Sequence, residues 1–195
     1  MDLTAEIIDS IIKNENDDVK KKYLEIYEKY KDRINSKDLK LDKNKIKTEQ
    51  GKAIGLLYLV YDLLGYGSKA VNLIKQYGKA YVIKYAVALK KKIPEEFRLD
   101  PVKLKEKMIR YVKNLLKEVN MSDELKEKVV KEIENTEIDI DTAIAAPQSY
   151  AVYLIYNAEK KLGRMEVYPS TLCEKAKLAT RMVYYHSKKF SGGVE

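Results

Sequence analysis

Apolar positions recur along this chain every three to four residues almost from end to end, the spacing of amphipathic helices. Over residues 17–35, Val19, Tyr23, Ile26, Tyr27, Tyr30 and Ile34 form one stripe, and Lys20, Lys22, Glu25, Glu28 and Lys29 form the opposite face. A shorter helix precedes it, with Leu3, Ile7, Ile8 and Ile11 on one side. The polar stretch 35–47, with its Asn-Ser-Lys-Asp run, is expected to be a loop. A strongly apolar helix over about 49–64 follows, and Gly65 stands where a helix-ending glycine is favoured. Helices over about 69–77 and 79–92 come next. Ile93-Pro94-Glu95-Glu96 breaks the pattern and predicts a linker over about 92–98.

Asp100 and Pro101 read as the cap and first residue of a long helix whose stripe is Leu104, Met108, Val112, Leu115 and Val119. Ser122 is expected to cap the next helix, with Asp123 and Glu124 in its first turn, where the helix dipole favours acids. A polar connection over 135–141 leads to a buried helix from Pro147 to about Leu162, stopped by Gly163. After a turn at Val167-Tyr168-Pro169-Ser170, two short helices over about 171–177 and 180–190 close the chain, and Ser191-Gly192-Gly193 reads as a loose tail.

The two most apolar helices align with each other. Set without gaps at an offset of 98, residues 51–65 and 149–163 share Ala53/Ala151, Leu56/Leu154, Tyr58/Tyr156, Leu64/Leu162 and Gly65/Gly163. Ile54/Val152 and Leu57/Ile155 are similar. At an offset of 99, Leu73/Leu172, Ala80/Ala179 and Tyr85/Tyr184 also match. Self-similarity over a long period is the mark of a repeated unit. The expectation is an all-α chain of two five-helix repeats, residues 1–95 and 99–191, each built on a central buried helix, with Tyr58 and Tyr156 buried at equivalent places.

Composition narrows the chemistry. The chain has 195 residues, 8 Gly, 4 Pro, 1 Cys, 1 His and no Trp, so neither a disulfide framework nor a Cys/His zinc module is available. No apolar run approaches a membrane span and no signal pattern opens the chain, so the expectation is a soluble, cytoplasmic protein with no membrane partner. Abundant Lys and Glu suit a thermophile. Lys and Arg exceed Asp and Glu by 38 − 30 = 8, which allows nucleic-acid binding. Acidic residues are scattered among lysines with no paired carboxylates, and Gly65-Tyr66-Gly67 lacks the length and Lys of a phosphate loop. No catalytic constellation, cofactor site or metal site is legible, so an enzyme is not expected. The 16 Tyr against 2 Phe are read mostly as core residues with a polar tip. Cys173 reads as a small core residue and His186 as a surface or phosphate-facing residue. Asn120-Met121-Ser122 fits a glycosylation sequon that a cytoplasmic protein would not use.

Three stretches resemble one known family. Residues 146–158, Ala-Pro-Gln-Ser-Tyr-Ala-Val-Tyr-Leu-Ile-Tyr-Asn-Ala, look like a Ser-Pro opening followed by an Ala-rich helix ending Leu-Tyr-x-Ala. Residues 121–130 look like a second-repeat segment beginning Leu-Ser. Residues 172–189 look like a closing helix-turn-helix. Glu49-Gln50-Gly51 through Tyr58 resembles the corresponding first-repeat helix. Together they resemble the core domain of archaeal transcription factor B and of general transcription factor IIB, a pair of cyclin-like repeats. The resemblance implies promoter binding through the second repeat and the TATA-binding protein as a partner. The family's zinc ribbon has no counterpart here, so polymerase recruitment is not expected. Tyr184 stands where the family places an Arg in the recognition helix, so its base preference is not carried over.

A helix-turn-helix sets the N-terminal part of its second helix toward base edges and its ends toward phosphates. On that scheme Arg181 reaches guanine, Thr180 a thymine methyl or a phosphate, and Tyr184 and Tyr185 a base edge or the backbone. Lys188 and Lys189 suit phosphates, and Ser170 or Thr171 caps the preceding helix and bonds a phosphate. Residues 160–190 hold eight Lys/Arg against Glu166 and Glu174, a local balance of 8 − 2 = +6. The expected function is a double-stranded-DNA-binding transcription regulator. A cyclin-like protein-interaction module that binds no DNA, marked by an apolar groove in the first repeat, stays open beside it, as does a helical protein of viral or plasmid origin.

Overall fold

A computed structural model of the chain describes residues 5–191, and Leu3 of the first expected stripe lies outside them. The fold is all-α. Among the described residues the elements are α1 (Ala5–Ile12), α2 (Asp17–Ile34), a single 3₁₀ turn (Lys37–Leu39), α3 (Lys45–Leu64), α4 (Gly67–Tyr77), α5 (Lys79–Lys92), α6 (Pro94–Phe97), α7 (Pro101–Lys117), α8 (Asp123–Glu134), α9 (Ile140–Ala145), α10 (Pro147–Lys161), α11 (Pro169–Lys175) and α12 (Arg181–Phe190). None of these helices is long and apolar enough to cross a membrane.

The described residues form two compact units: 5–64 with 69–99, and 65–68 with 100–191. In the first, α3 is the central helix, with α1, α2 and α5 packed on it. Its Ala53, Leu56 and Val60 are fully buried. Gly51 and Gly55 admit α5: a Cβ on Gly51 would overlap the Tyr85 ring, and one on Gly55 would sit 2.7 Å from the Tyr85 Cβ and 3.0 Å from the Ala86 nitrogen. Tyr85 is thus fully buried, and its hydroxyl donates to the Asp42 carboxylate at 2.6 Å. That bond and the Lys84 ammonium hold the Asp42 carboxyl below its usual range.

In the second unit α10 is central, and α7, α8, α9, α11 and α12 all pack on it. Asp100 caps α7 as expected, its side chain accepting from the Lys103 N–H at 2.8 Å. Gly163 ends α10 in the left-handed region, φ +65°, as Gly65 ends α3 at φ +75°. Glu159 is fully buried on α10; its Oε1 accepts from the Glu166 and Val167 N–H groups at 2.9 and 3.2 Å and so fixes the loop into α11.

Several expectations change. The loop over 35–47 contains the 3₁₀ turn, and α3 begins inside it at Lys45. The 92–98 linker holds α6, which starts on Pro94 and buries Phe97. The connection over 135–141 ends in α9, capped by Asp139 accepting from the Thr142 N–H at 2.8 Å. Ser122 has cap-type backbone angles, but its N–H and Oγ–H both donate to Glu166, at 2.7 and 2.9 Å, instead of capping α8. Tyr58 and Tyr156 are both half-buried, because each lies at the edge of its helix's packed side. Tyr85 and Tyr184 are not equivalent, since the first is fully buried and the second 60% exposed.

Candidate nucleic-acid interface

The end of the second unit is built as helix, tight turn, helix. Pro169 starts α11 two residues earlier than expected, because its missing N–H costs nothing in a first turn. Tyr168 is therefore the N-cap residue, and Ser170 and Thr171 lie inside the helix rather than capping it. Leu172 and Cys173 face the core. Burial pushes the Cys173 thiol up. At the far end Lys177 adopts φ +60°. Its N–H donates to the Glu174 carbonyl at 3.1 Å, and the Leu178 N–H donates to the Cys173 carbonyl at 2.8 Å. These are the two bonds of a Schellman ending, with lysine where glycine is usual.

Two side chains from elsewhere in the unit hold that ending. Ser68 Oγ–H donates to the Lys175 carbonyl at 2.9 Å, and Gln148 Nε2 donates to the Ala176 carbonyl at 3.2 Å. Neither was legible in the sequence, because Ser68 is about a hundred residues away and no motif surrounds Gln148.

Helix α12 is anchored by its inner face. Val183 is fully buried, and His186 is buried among the Tyr150, Tyr153 and Phe190 rings at centroid distances of 6.1, 6.1 and 6.2 Å. The expectation of a surface or phosphate-facing His186 is overturned: it falls on the Val183 side of the helix, with Nε2 2.8 Å from Ser149 Oγ. Its Nδ1 is buried without a hydrogen-bond partner, and burial lowers the imidazole's proton affinity, aided by the nearby Lys189 charge.

The outer face of α12 carries Arg181, Tyr184, Tyr185 and Lys188, all exposed and spaced i, i+3, i+4, i+7. Thr180 is the exposed N-cap residue, without a side-chain bond to the helix. Thr171 is exposed on α11. Lys189 stands apart from this face. Its Nζ donates to Thr142 Oγ1 at 2.6 Å and lies 3.6 Å from Asp139 Oδ1, so it ties α12 to the start of α9.

Ion pairing decides which of the local basic charges face solvent alone. Lys161 pairs with Glu132 at 3.3 Å, and Arg164 with Glu166 at 2.7 Å. Lys175, Lys177, Arg181 and Lys188 form no ion pair among the described residues. Of the local cations without an ion pair among the described residues, Lys175, Lys177, Arg181 and Lys188 lie on the end of α11, the turn and the outer face of α12, and Lys160 lies at the end of α10. No cluster of His, Cys, Asp and Glu suited to a metal occurs among the described residues. Compared with protein-family models, curated proteins and solved structures, the chain shows no match.

Proposed function

We propose that the protein is a double-stranded-DNA-binding transcription regulator that lays α12 in the major groove. The observation that carries this reading is the outer face of α12. It presents Arg181 near its start, two exposed tyrosines in the middle and Lys188 a turn later, with no ion partner for either basic residue among the described residues. A major groove admits one helix, and an Arg in its first turn suits the O6/N7 edge of guanine. Lys175, Lys177 and Lys188 suit phosphates on either side. Lys189, held by Asp139 and Thr142, serves to orient the helix instead.

The fold supports the reading at the level of architecture. Each unit centres on an apolar helix, α3 or α10, ended by a left-handed glycine, and α12 packs on α10 as α5 packs on α3. Gly51 meets Tyr85 across the first pair, and Ser149 meets His186 across the second. This parallel fits two cyclin-like repeats with Tyr85 matched to His186. It also carries the TATA-binding protein forward as the partner to test. Fluorescence anisotropy with duplex DNA over a range of salt, with and without TATA-binding protein, tests the proposal.

A protein-interaction module without DNA binding has its own observation. Helices α1 and α2 enclose a cleft of about 410 Å³ lined by Ile8, Leu24 and Tyr27, with Asp9, Glu28 and Asp32 on its rim. Absence of duplex binding under all conditions of the anisotropy experiment would favour it.

A further inference from the structure

Helices α7 and α8 enclose a second groove, of about 420 Å³, in the other unit. Its apolar residues are Leu116 on α7 and Val130 on α8. Four lysines surround them: Lys113 and Lys117 from α7, Lys126 and Lys131 from α8. Glu127 and Glu134 complete the lining. None of these six charged side chains forms an ion pair among the described residues, although all line the same groove. Of the other acids on α8, Glu124 pairs with Lys128 at 2.6 Å and Glu132 with Lys161 at 3.3 Å, while Asp123 forms no ion pair among the described residues. Along α8, Lys126, Val130 and Glu134 repeat at i, i+4, i+8, and along α7, Lys113, Leu116 and Lys117 repeat at i, i+3, i+4. The groove thus runs along both helices, with buried Leu116 and half-buried Val130 as its floor, two lysines along the α7 edge, and two lysines and two glutamates along the α8 edge.

We propose that this groove docks an acidic amphipathic helix of a partner protein. Large apolar side chains of the helix would seat against Leu116 and Val130, and its carboxylates would meet Lys113, Lys117, Lys126 and Lys131. Charge complementarity selects this occupant: lysines outnumber acids four to two around the floor. An apolar floor gives nothing to a phosphodiester backbone, whereas it matches the anchor residues of a helix laid in a groove. Glu127 and Glu134, one toward each end of the α8 side, disfavour an acid placed next to them. The surface shares no residue with the α11–α12 face, so it stands or falls independently of the DNA-binding proposal.

The test uses the full chain and three fluorescein-labelled peptides of about 15 residues, long enough for a helix in the groove. One is acidic with leucines at i, i+4, i+7; one has the same composition with the leucine stripe scrambled; one has the stripe with lysines replacing the acids. Saturable binding of the first peptide is expected, with the other two weaker. Lys113→Glu together with Lys126→Glu should weaken it roughly tenfold, with the helical circular-dichroism signal kept. Methyl resonances of Leu116 and Val130 in the unmutated chain should shift on titration, which reads the floor without any variant. Equal binding of the scrambled peptide, no saturable binding of the first, or unshifted Leu116 and Val130 methyls would overturn the proposal. So would a double variant that keeps the peptide but loses a 20-base-pair duplex, since the groove would then be nucleic-acid surface.

Discussion

His186 Nε2 lies 2.8 Å from Ser149 Oγ, joining the buried face of α12 to the first turn of α10. The orientation of the proposed recognition helix therefore rests on a histidine held in its neutral form. In the unfolded chain the imidazole ionises near its ordinary 6.5, while in the fold burial lowers that value. Below 6.5 the unfolded state binds the extra proton first, so stability is complete above that pH and falls as acid is added. The urea midpoint of the native protein should drop between about pH 7.5 and 5.5. The groups packed near the ring include Tyr150 and Tyr153, whose hydroxyls burial pushes above the usual phenol range, and the Lys189 ammonium. His186→Phe should flatten this part of the profile; an unchanged slope would show that other groups cause it.

Glu159 gives a slope of opposite sign. Desolvation outweighs the two backbone N–H bonds it accepts and raises its carboxyl above the usual range. The unfolded chain loses that proton first, so this group's contribution falls as pH rises past its ordinary 4.5. Glu159→Gln keeps a carbonyl oxygen for the Glu166 and Val167 N–H groups and removes the buried charge. At neutral pH it should match or exceed the native protein, while Glu159→Ala should cost about 1–3 kcal/mol by leaving buried donors unsatisfied. Chemical denaturation of the three proteins decides the point.

Gly51 and Gly55 should fail differently when given a methyl group. All three nearest obstacles at Gly51 are Tyr85 ring atoms, whereas Gly55 also faces backbone of α5. Each alanine variant should lose about 1–3 kcal/mol. Replacing Tyr85 with Leu should restore part of the loss for Gly51→Ala and less for Gly55→Ala. Thermal unfolding of the two double variants measures the contrast.

Lys177 sits where glycine is preferred, so Lys177→Gly should raise stability by about 1 kcal/mol. It also removes a cation that forms no ion pair among the described residues, so duplex affinity should fall while the melting temperature rises. If both fall, the left-handed ending of α11 is wrong.

Much of the helical layout was legible because apolar spacing and capping chemistry agreed. Asp100-Pro101 marked the start of α7, and Gly65 and Gly163 marked helix ends. The short helices α6 and α9 were not legible: four and six residues carry too little periodicity, and a single buried Phe97 or an Asp139 cap decides them. At the candidate interface the outer residues Arg181, Tyr184, Tyr185 and Lys188 could be named from the sequence. The sorting of Lys189 and His186 away from that face could not. It depends on Asp139, Thr142 and Ser149, which are distant in the chain and meet α12 only in the fold.

The central claim is that the outer face of α12 reads duplex DNA, and comparing Arg181→Ala, Lys188→Ala and Lys189→Ala by fluorescence anisotropy across a salt series tests it most directly. After selection of a preferred duplex, Arg181→Ala should weaken that duplex by roughly 1–3 kcal/mol and leave unrelated sequences nearly unchanged. Lys188→Ala should weaken all sequences alike and lower the salt slope by about one unit. Lys189→Ala should leave that slope nearly unchanged, because its ammonium is held by Asp139 and Thr142. The account is contradicted if the native protein binds no duplex at low salt, alone or with TATA-binding protein, or if Arg181→Ala weakens every sequence equally.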